Sequence, residues 1–189
     1  MKLKLLLSIT IIFCYTLAFS QNYIYKGDKR YPSTSTWEFK VNASSTIRNA
    51  EICIAKHGSG GYLMLSVQSQ FSYLRGNVLL YLNDGNVITC IDRNIKDKVD
   101  NQSISLYNLT YSEIEKLKNA RINSIRFSVI DNYGISKDSY TAINQYERII
   151  DTNHNSTRNI LENTHSYKSP PIVITSFFDT EEDVQNLFK

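Results

Sequence analysis

The sequence predicts a mainly β domain of the α+β class, an antiparallel β-sandwich or rolled sheet with one short connecting helix and a C-terminal helix. Apolar and polar residues alternate over several short segments, which is typical of strands with one solvated face. Asp84 and Gly85 separate two β-rich segments, as in a β-hairpin. Two further segments combine an N-cap residue with apolar residues at helical spacing, which indicates helices.

The N-terminus has the pattern of a secretory signal peptide. Two lysines precede an uncharged segment, residues 5–19, and small residues occupy the −3 and −1 positions of a cleavage after Ser20. The uncharged segment is shorter than the ~20 apolar residues that a membrane-spanning helix needs. We therefore expect residues 1–20 to be a signal peptide. Residues 21–189 are then a single β-rich domain without a transmembrane anchor, exported to the periplasm, the cell surface or the extracellular medium.

Composition and charge exclude several classes of protein. The chain has 189 residues, of which 42% are hydrophobic and 12% aromatic, which is enough for a packed core and unlike a disordered or low-complexity chain. The formal charge of +3 becomes nearly neutral when Lys2 and Lys4 leave with the signal peptide. A nearly neutral domain without a Lys/Arg cluster predicts no nucleic-acid partner.

Two cysteines, Cys53 and Cys90, remain in the expected domain. In an oxidising compartment such a pair is a candidate disulfide, which in the chain-entropy model adds about 4 kcal/mol to the free energy of unfolding. Two buried free thiols are the alternative. The neighbouring segments are apolar, so we expect a structural rather than a catalytic pair.

The first part of the domain predicts three strands. Residues 21–35 are polar and aromatic without a clear period, which indicates a surface segment. Apolar positions alternate over residues 36–41 and again over residues 51–55. An apolar segment at residues 62–67 follows the Gly-rich residues 57–61, which predict a hairpin turn.

Residues 78–91 predict the clearest hairpin. With Asp84 and Gly85 as a two-residue loop of type I′, Leu82 is expected opposite Val87, and both faces of the hairpin are apolar. A hairpin of this kind belongs inside a sheet that is covered on both sides.

The middle of the chain predicts a loop, a strand, a helix and another strand. Residues 92–102 are rich in charge, which indicates an exposed loop, and residues 103–109 form a strand. Thr110 and Glu113 match a capping box, which begins the short connecting helix. Alternation at residues 124–129 predicts a further one-sided strand.

The C-terminal part is less regular. The pattern of residues 140–169 leaves their structure open. Apolar residues at 140, 143, 146 and 150 have the spacing of a helix, but the Thr, Tyr and Ile content favours a strand through Glu147, and polar residues indicate a loop afterwards. Residues 172–178 predict the last strand. Asp179, together with Asp183, is expected to cap the C-terminal helix.

No motif assigns a catalytic residue. His57 lies beside a Gly-rich turn, but the Gly-x-Ser-x-Gly sequence of an esterase nucleophile is missing, so a plain hairpin turn is preferred. His57, His154 and His165 lack the spacing of a zinc site. We therefore predict no catalytic residue, no metal ligand and no cofactor.

Acidic residues give no specific signal either. Those considered are Asp92, Asp97, Asp100, Glu38, Glu51 and Glu147. The aspartates do not follow the spacing of a calcium-binding loop. The glutamates lie in or beside expected strands, and the alternation places the first two on polar faces. We therefore expect the aspartates and the glutamates to be ordinary solvent-exposed side chains.

Aromatic residues are the best candidates for a binding surface, because Tyr combines an apolar body with a polar tip. The candidates are Tyr23, Tyr25, Tyr31, Phe71, Tyr73, Tyr107 and Tyr111. The sequence does not divide them between core and surface, so the binding residues stay unassigned.

Several short segments resemble those of small exported proteins of Bacteroidetes-type bacteria. The segments are Phe19-Ser20-Gln21, Tyr31-Pro32, Thr36-Trp37-Glu38-Phe39, Val87-Ile88-Thr89-Cys90, Leu109-Thr110-Tyr111-Ser112-Glu113, Lys116-Leu117-Lys118 and Phe178-Asp179-Thr180. They are spread over most of the chain after the signal peptide. The resemblance implies export, and it implies no activity and no site residue.

These observations favour a non-catalytic exported protein that binds a macromolecule, either a protein or a glycan, or another cell-envelope component. A small secreted hydrolase is one alternative, with a site that brings His57, His154 or His165 to a carboxylate or a serine only in three dimensions. A structural or assembly subunit is another, and it predicts an unpaired edge strand or a large exposed apolar patch.

Overall fold

The structure is a computed structural model that describes residues 21–41, 47–150 and 172–189. The strands are β1 Asn22–Lys26, β2 Lys29–Ser33, β3 Trp37–Val41, β4 Asn49–His57, β5 Gly60–Gln68, β6 Ser72–Leu74, β7 Val78–Leu82, β8 Val87–Cys90, β9 Ile95–Val99, β10 Gln102–Leu109, β11 Ile122–Asp131, β12 Lys137–Ile143, β13 Tyr146–Ile150 and β14 Ile172–Ser176. The helices are α1 Tyr111–Asn119 and α2 Thr180–Leu187. The predicted mainly β fold with a short connecting helix and a C-terminal helix is confirmed.

Twelve of the strands form one antiparallel sheet. Nine follow the order β8-β7-β11-β12-β3-β4-β5-β10-β9, β6 pairs with β11, and the β1–β2 hairpin joins β4 through β2. The strands β13 and β14 pair with each other in a second, two-stranded sheet.

The large sheet curls, so that strands from its two halves meet. The amide of Leu74 in β6 donates to Ser103 Oγ in β10 at 2.9 Å, and the Tyr107 hydroxyl of β10 donates to the Gly76 carbonyl at 3.4 Å. Side chains on the inner face of the curl form the main core, with Trp37 and Phe39 among the largest that are fully buried.

Both helices pack against this core. Ile114 and Leu117 of α1 and Val184 of α2 are buried in it. The capping box is present as predicted, because Thr110 Oγ1 accepts from the Glu113 amide at 3.3 Å and the Thr110 amide donates to Glu113 Oε2 at 2.7 Å.

The β7–β8 hairpin has a different register from the predicted one. The Leu82 carbonyl accepts from the Gly85 amide at 3.2 Å and the Leu82 amide donates to the Asn86 carbonyl at 2.9 Å. Gly85 has a φ of 87°. These bonds define a loop with one more residue than type I′, with Gly in the left-handed position. Val87 therefore pairs with Tyr81 instead of Leu82.

The shifted register also changes the faces of this hairpin. Ile88 and Cys90 are buried in the main core, whereas Val87 and Thr89 are exposed. Only one face of β8 is buried, and β8 is an edge strand of the sheet. The predicted position of this hairpin inside a sheet covered on both sides is therefore wrong.

Two segments that the sequence indicates as surface chain are strands. Residues 21–35 contain the β1–β2 hairpin, and residues 92–102 contain β9, which pairs with β10. The Lys96-Asp97-Lys98 sequence of β9 resembles a solvated loop, but charged side chains are common on edge strands because they discourage pairing with other molecules. Residues 140–150 form parts of β12 and β13, and residues 151–171 lie outside the described part of the chain.

The C-terminal helix begins where the sequence predicts, but its acidic residues act differently. Asp179 occupies the N-cap position without a side-chain cap hydrogen bond. Asp183 Oδ2 instead accepts from Trp37 Nε1 at 2.7 Å and from Ser35 Oγ at 3.0 Å. The carboxylate thus satisfies the indole N–H of a fully buried tryptophan.

Further hydrogen bonds hold the chain that leads into α2. Asn144 Nδ2 donates to the Ile122 carbonyl at 2.8 Å and to the Phe178 carbonyl at 2.9 Å, while Asn144 Oδ1 accepts from the Phe178 amide at 2.8 Å. Thr180 Oγ1 accepts from the Ile122 amide at 2.9 Å. These buried bonds fix α2 to the start of β11.

We predict that Asp183→Ala lowers the free energy of unfolding by about 1–3 kcal/mol, because it leaves the Trp37 indole N–H buried without its partner. Urea unfolding followed by tryptophan fluorescence measures the change. Glu182→Ala is the matched control, since it removes an exposed carboxylate from the same helical turn and should change stability by less than about 0.5 kcal/mol. Equal effects of the two substitutions would contradict the prediction.

Candidate functional site

β4 and β5 bury side chains on both faces of the sheet. On the inner face, Ile54 and Leu63 are part of the main core. On the outer face, Cys53, Ala55 and Tyr62 are also buried, in a second cluster. Buried apolar side chains on the outer face require a second cover, separate from the main core.

The β1–β2 hairpin supplies that cover. Ile24 of β1 is buried in the outer cluster together with Leu106 of β10. The Tyr31 ring of β2 packs edge-on against His57 and Tyr62, with ring centroids 5.2 Å apart in both pairs. The hairpin therefore covers the outer face of β4 and β5 at the end where His57 and Tyr62 lie. It leaves the part of that face towards β9 open.

A groove runs between β1 and β9 over this outer face. Its volume is about 510 Å³, which is within the range of ligand-binding sites in proteins. The residues of what we call the β1–β9 groove are 22–27, Ser33, Thr36, Cys53, Met64, 95–97, Ile104 and Leu106. Met64, Ile95 and Ile104 are partly exposed, so the floor offers apolar surface to a ligand.

The two long walls of the groove are strand edges. β1 pairs only with β2, and β9 pairs only with β10, within the part of the chain that the structure describes. Neither strand pairs with the other across the groove. Edges of this kind present backbone N–H and C=O groups that another extended chain can pair with.

The charged side chains of the groove differ in their pairing. Lys96 Nζ donates to Asp92 Oδ2 at 2.9 Å. Partial burial opposes the charge on Asp92, but the Lys96 ammonium and the amides of Asn94 and Gly76 outweigh it and lower the pKa of this carboxyl group. Lys96 is therefore neutralised within the chain.

Lys26 makes different contacts. Its ammonium donates to the Tyr62 hydroxyl at 3.3 Å and lies 4.6 Å from the centroid of that ring. None of the described carboxylates forms an ion pair with it. The charge of Lys26 is thus held by an aromatic ring and a neutral hydroxyl group, which leaves ammonium protons for another acceptor.

His57 is exposed at the end of β4, where the predicted hairpin turn follows at residues 58 and 59. Its ring stacks on Tyr62, with centroids 5.0 Å apart and planes at 14°. His154 and His165 lie outside the described residues. Among the residues that are described, no group of three His, Cys, Asp or Glu side chains could hold a metal ion.

The expected disulfide is not formed, and both cysteines are free thiols in the structure. Cys53 belongs to the outer cluster, whereas Cys90 belongs to the main core on the other face of the sheet. The sheet therefore separates the two sulfur atoms. Burial raises the pKa of each thiol from 9.0 to about 12, with the Glu113 charge as a smaller cause at Cys90.

The predicted candidates contribute unequally to the groove. Asp97, Tyr23 and Tyr25 line it. Asp92 does not line it but forms an ion pair with Lys96, which does. Glu38 and Glu51 lie opposite each other on the outer face of β3 and β4, as the alternation predicts, and Asp100 lies in the turn after β9. Glu147 lies in β13.

The remaining aromatic candidates are divided between core and surface. Tyr107 is fully buried, and burial raises its pKa to about 12. Phe71, Tyr73 and Tyr111 are exposed outside the groove. Sequence reasoning missed Lys26 and the apolar floor, because strand alternation does not say which of two apolar faces remains open.

Comparisons with known proteins found no family model, no curated protein and no solved structure that matches this chain. Neither helix in the described ranges is long and apolar enough to cross a membrane.

We predict that Cys53 and Cys90 are reduced in the purified protein. Iodoacetamide without a reductant should modify both thiols in urea, and should react far more slowly with the native chain at pH 8, because burial keeps both thiols protonated and inaccessible. Intact mass spectrometry counts the modified groups. If modification in urea needed prior reduction, the cysteines would be bridged and the prediction would be wrong.

Proposed function

We propose that this chain is an exported, non-catalytic binding protein whose β1–β9 groove receives an extended segment of a partner polypeptide. The observation that carries this proposal is the apolar floor between two strand edges that are not paired with each other. The predicted signal peptide at residues 1–20 supports export.

The chemistry of the groove favours a polypeptide over a glycan. Partly exposed Met64, Ile95 and Ile104 suit apolar side chains, which alternate along one face of an extended peptide. The walls supply backbone groups, and main-chain hydrogen bonds give affinity in strand addition while side-chain pockets give specificity.

The charges of β9 are compatible with this role. Lys96 and Asp97 lie on the groove wall, and Lys98 follows them. Lys98 Nζ donates to the Gln70 carbonyl at 2.9 Å, outside the groove. Charged side chains oppose unselective pairing of an exposed edge, so only a segment with complementary side chains gains from the groove.

We predict that Ile104→Lys weakens binding of a groove peptide at least about tenfold, because it puts a charge on the apolar floor. The probe is the strongest binder from a random 12-residue peptide array incubated with residues 21–189. Titration calorimetry measures its affinity. Ile135→Lys is the matched control, since Ile135 is 86% exposed in the β11–β12 turn and should leave the affinity unchanged.

Amide NMR of the labelled chain locates the peptide. Shifts and slowed hydrogen exchange are expected in β1 and β9. A glycan array is screened in parallel. If glycans bind and no peptide does, or if peptides bind without changing β1 or β9, the proposal is wrong.

A structural or assembly subunit is the second candidate, and a different surface favours it. Phe71, Tyr133 and Ile135 are 67%, 87% and 86% exposed. The Asn132 amide donates to the Phe71 carbonyl at 2.9 Å, so the two loops that carry these side chains are adjacent. Exposed apolar groups that cluster in this way are typical of contact surfaces between proteins.

Sedimentation velocity over a concentration series tests this second candidate. An assembly subunit should associate, and Tyr133→Ser with Ile135→Ser should shift the chain towards the monomer, because burial of these side chains drives the contact. Val87→Ser is the control, since it removes an exposed apolar side chain from β8. A chain that stays monomeric throughout contradicts assembly through this surface.

A further inference from the structure

We propose that the β1–β9 groove binds the C-terminal end of its partner polypeptide, with the terminal carboxylate at the Lys26 ammonium, which Tyr62 positions. This inference rests on the proposed function and adds the chemical group that the site recognises, together with the direction of the bound chain.

Lys26 is suited to hold a carboxylate. Its ammonium is half-buried at the end of β1, where it lines the groove. The described carboxylates leave it without an ion pair, in contrast to Lys96 on the other wall. A partly buried ammonium gains more from a carboxylate than an exposed one does, because solvent screens the pair less.

Tyr62 positions this ammonium. Its side chain is 5% exposed, and its ring contacts the rings of Tyr31 and His57 and belongs to the same buried cluster as Ile24. The hydroxyl oxygen accepts from Lys26, and the ammonium lies 4.6 Å from the centroid of the ring. A buried tyrosine thus holds the ammonium at one end of the apolar floor.

An acidic group lies towards the opposite end. In the strand register, Tyr62 is followed two residues later by Met64, which lies beside Leu106, and after two more by Ser66, which lies beside Ile104. Asp97 pairs with Ile104. Tyr62 marks the Lys26 end of the groove, and Ser66 is level with Ile104 and Asp97. These two positions are four residues apart along β5, which is about 13 Å at ~3.3 Å per residue.

This separation matches a short extended peptide. The first and last Cα atoms of an extended pentapeptide are also about 13 Å apart. With its carboxylate at Lys26, such a peptide places its amino group near Asp97. The groove therefore has the length of the last five residues of a partner, and a free pentapeptide reproduces that segment with an added amino group near Asp97.

The strand directions fix the orientation of the bound chain. β1 runs towards the Lys26 end, because β1 is antiparallel to β2 and β2 is antiparallel to β4. β9 runs the opposite way, because it is antiparallel to β10. A peptide that ends at Lys26 is therefore antiparallel to β9 and parallel to β1, and antiparallel pairing is the slightly more stable of the two.

The test uses pentapeptides with alternating apolar residues that are selected on residues 21–189 from a library with free carboxyl termini. The best binder is then made as its C-terminal amide and as its N-acetyl form, and titration calorimetry measures all three. The amide should bind about tenfold more weakly than the acid, because it loses the charge-assisted contacts at Lys26. Acetylation should weaken binding less, since Asp97 is exposed.

Substitutions assign the effect to the named residues. Lys26→Gln and Tyr62→Phe should each reduce the preference for acid over amide, and Lys26→Arg should retain most of it. Lys29→Gln is the matched control, because Lys29 is the cross-strand partner of Lys26, has the same charge and does not line the groove. Circular dichroism of every variant checks that the fold is intact.

The outcomes separate this inference from the proposed function. Equal affinity for acid and amide, with shifts still in β1 and β9, would overturn carboxylate recognition and leave peptide binding in place. An acid preference that Lys26→Gln and Lys29→Gln reduce equally would also overturn it, since general charge would then explain the preference. The absence of binding by both the pentapeptides and the longer peptides would overturn both proposals.

Discussion

Burial on both faces of β4 and β5 is the constraint on which the rest of the structure depends. Curling of the sheet covers the inner face, but it cannot cover the outer one. Burying one large aliphatic side chain contributes about 1.5–3 kcal/mol, so an open outer strip from Cys53 to Leu106 would offset much of the ~5–15 kcal/mol that stabilises an ordinary domain. The β1–β2 hairpin covers this strip with Ile24 and Tyr31. Two strands cannot cover the full width from β4 to β9, and the uncovered part is the β1–β9 groove.

The inner side of the sheet is held by different interactions. Trp37 and Asn144 join β3 and the end of β12 to the C-terminal segment through buried hydrogen bonds. A buried donor without a partner costs free energy, so these bonds specify one position for α2 as well as stabilising it. These hydrogen bonds lie away from the outer face. The core beneath the floor of the groove is therefore complete without a bound ligand.

The sequence predicted those features that local chemistry decides. Thr110 caps α1 because its hydroxyl and the Glu113 amide that donates to it are three residues apart, and the alternation that begins at Trp37 is visible within five residues. Features that depend on distant partners were missed. Asp84 and Gly85 fit two kinds of hairpin loop, and the choice between them moves the register by one residue. Met64 is apolar in every interpretation, but only the pairing of four strands shows that it faces an open groove instead of the core.

Strand edges that border an apolar groove expose a protein to unselective pairing, and this chain limits that exposure without closing the groove. Charged side chains occupy β9, and the hairpin that carries β1 folds over the sheet, so that its open edge faces a recess. A bound peptide would complete the second cover that the β1–β2 hairpin supplies only in part. In the proposed complex, the partner buries Met64 and Ile104, and its backbone pairs with the wall. In this proposal, the same burial that positions the hairpin provides the driving force for binding, while the charge of Lys26 selects a carboxyl-terminal segment and its direction.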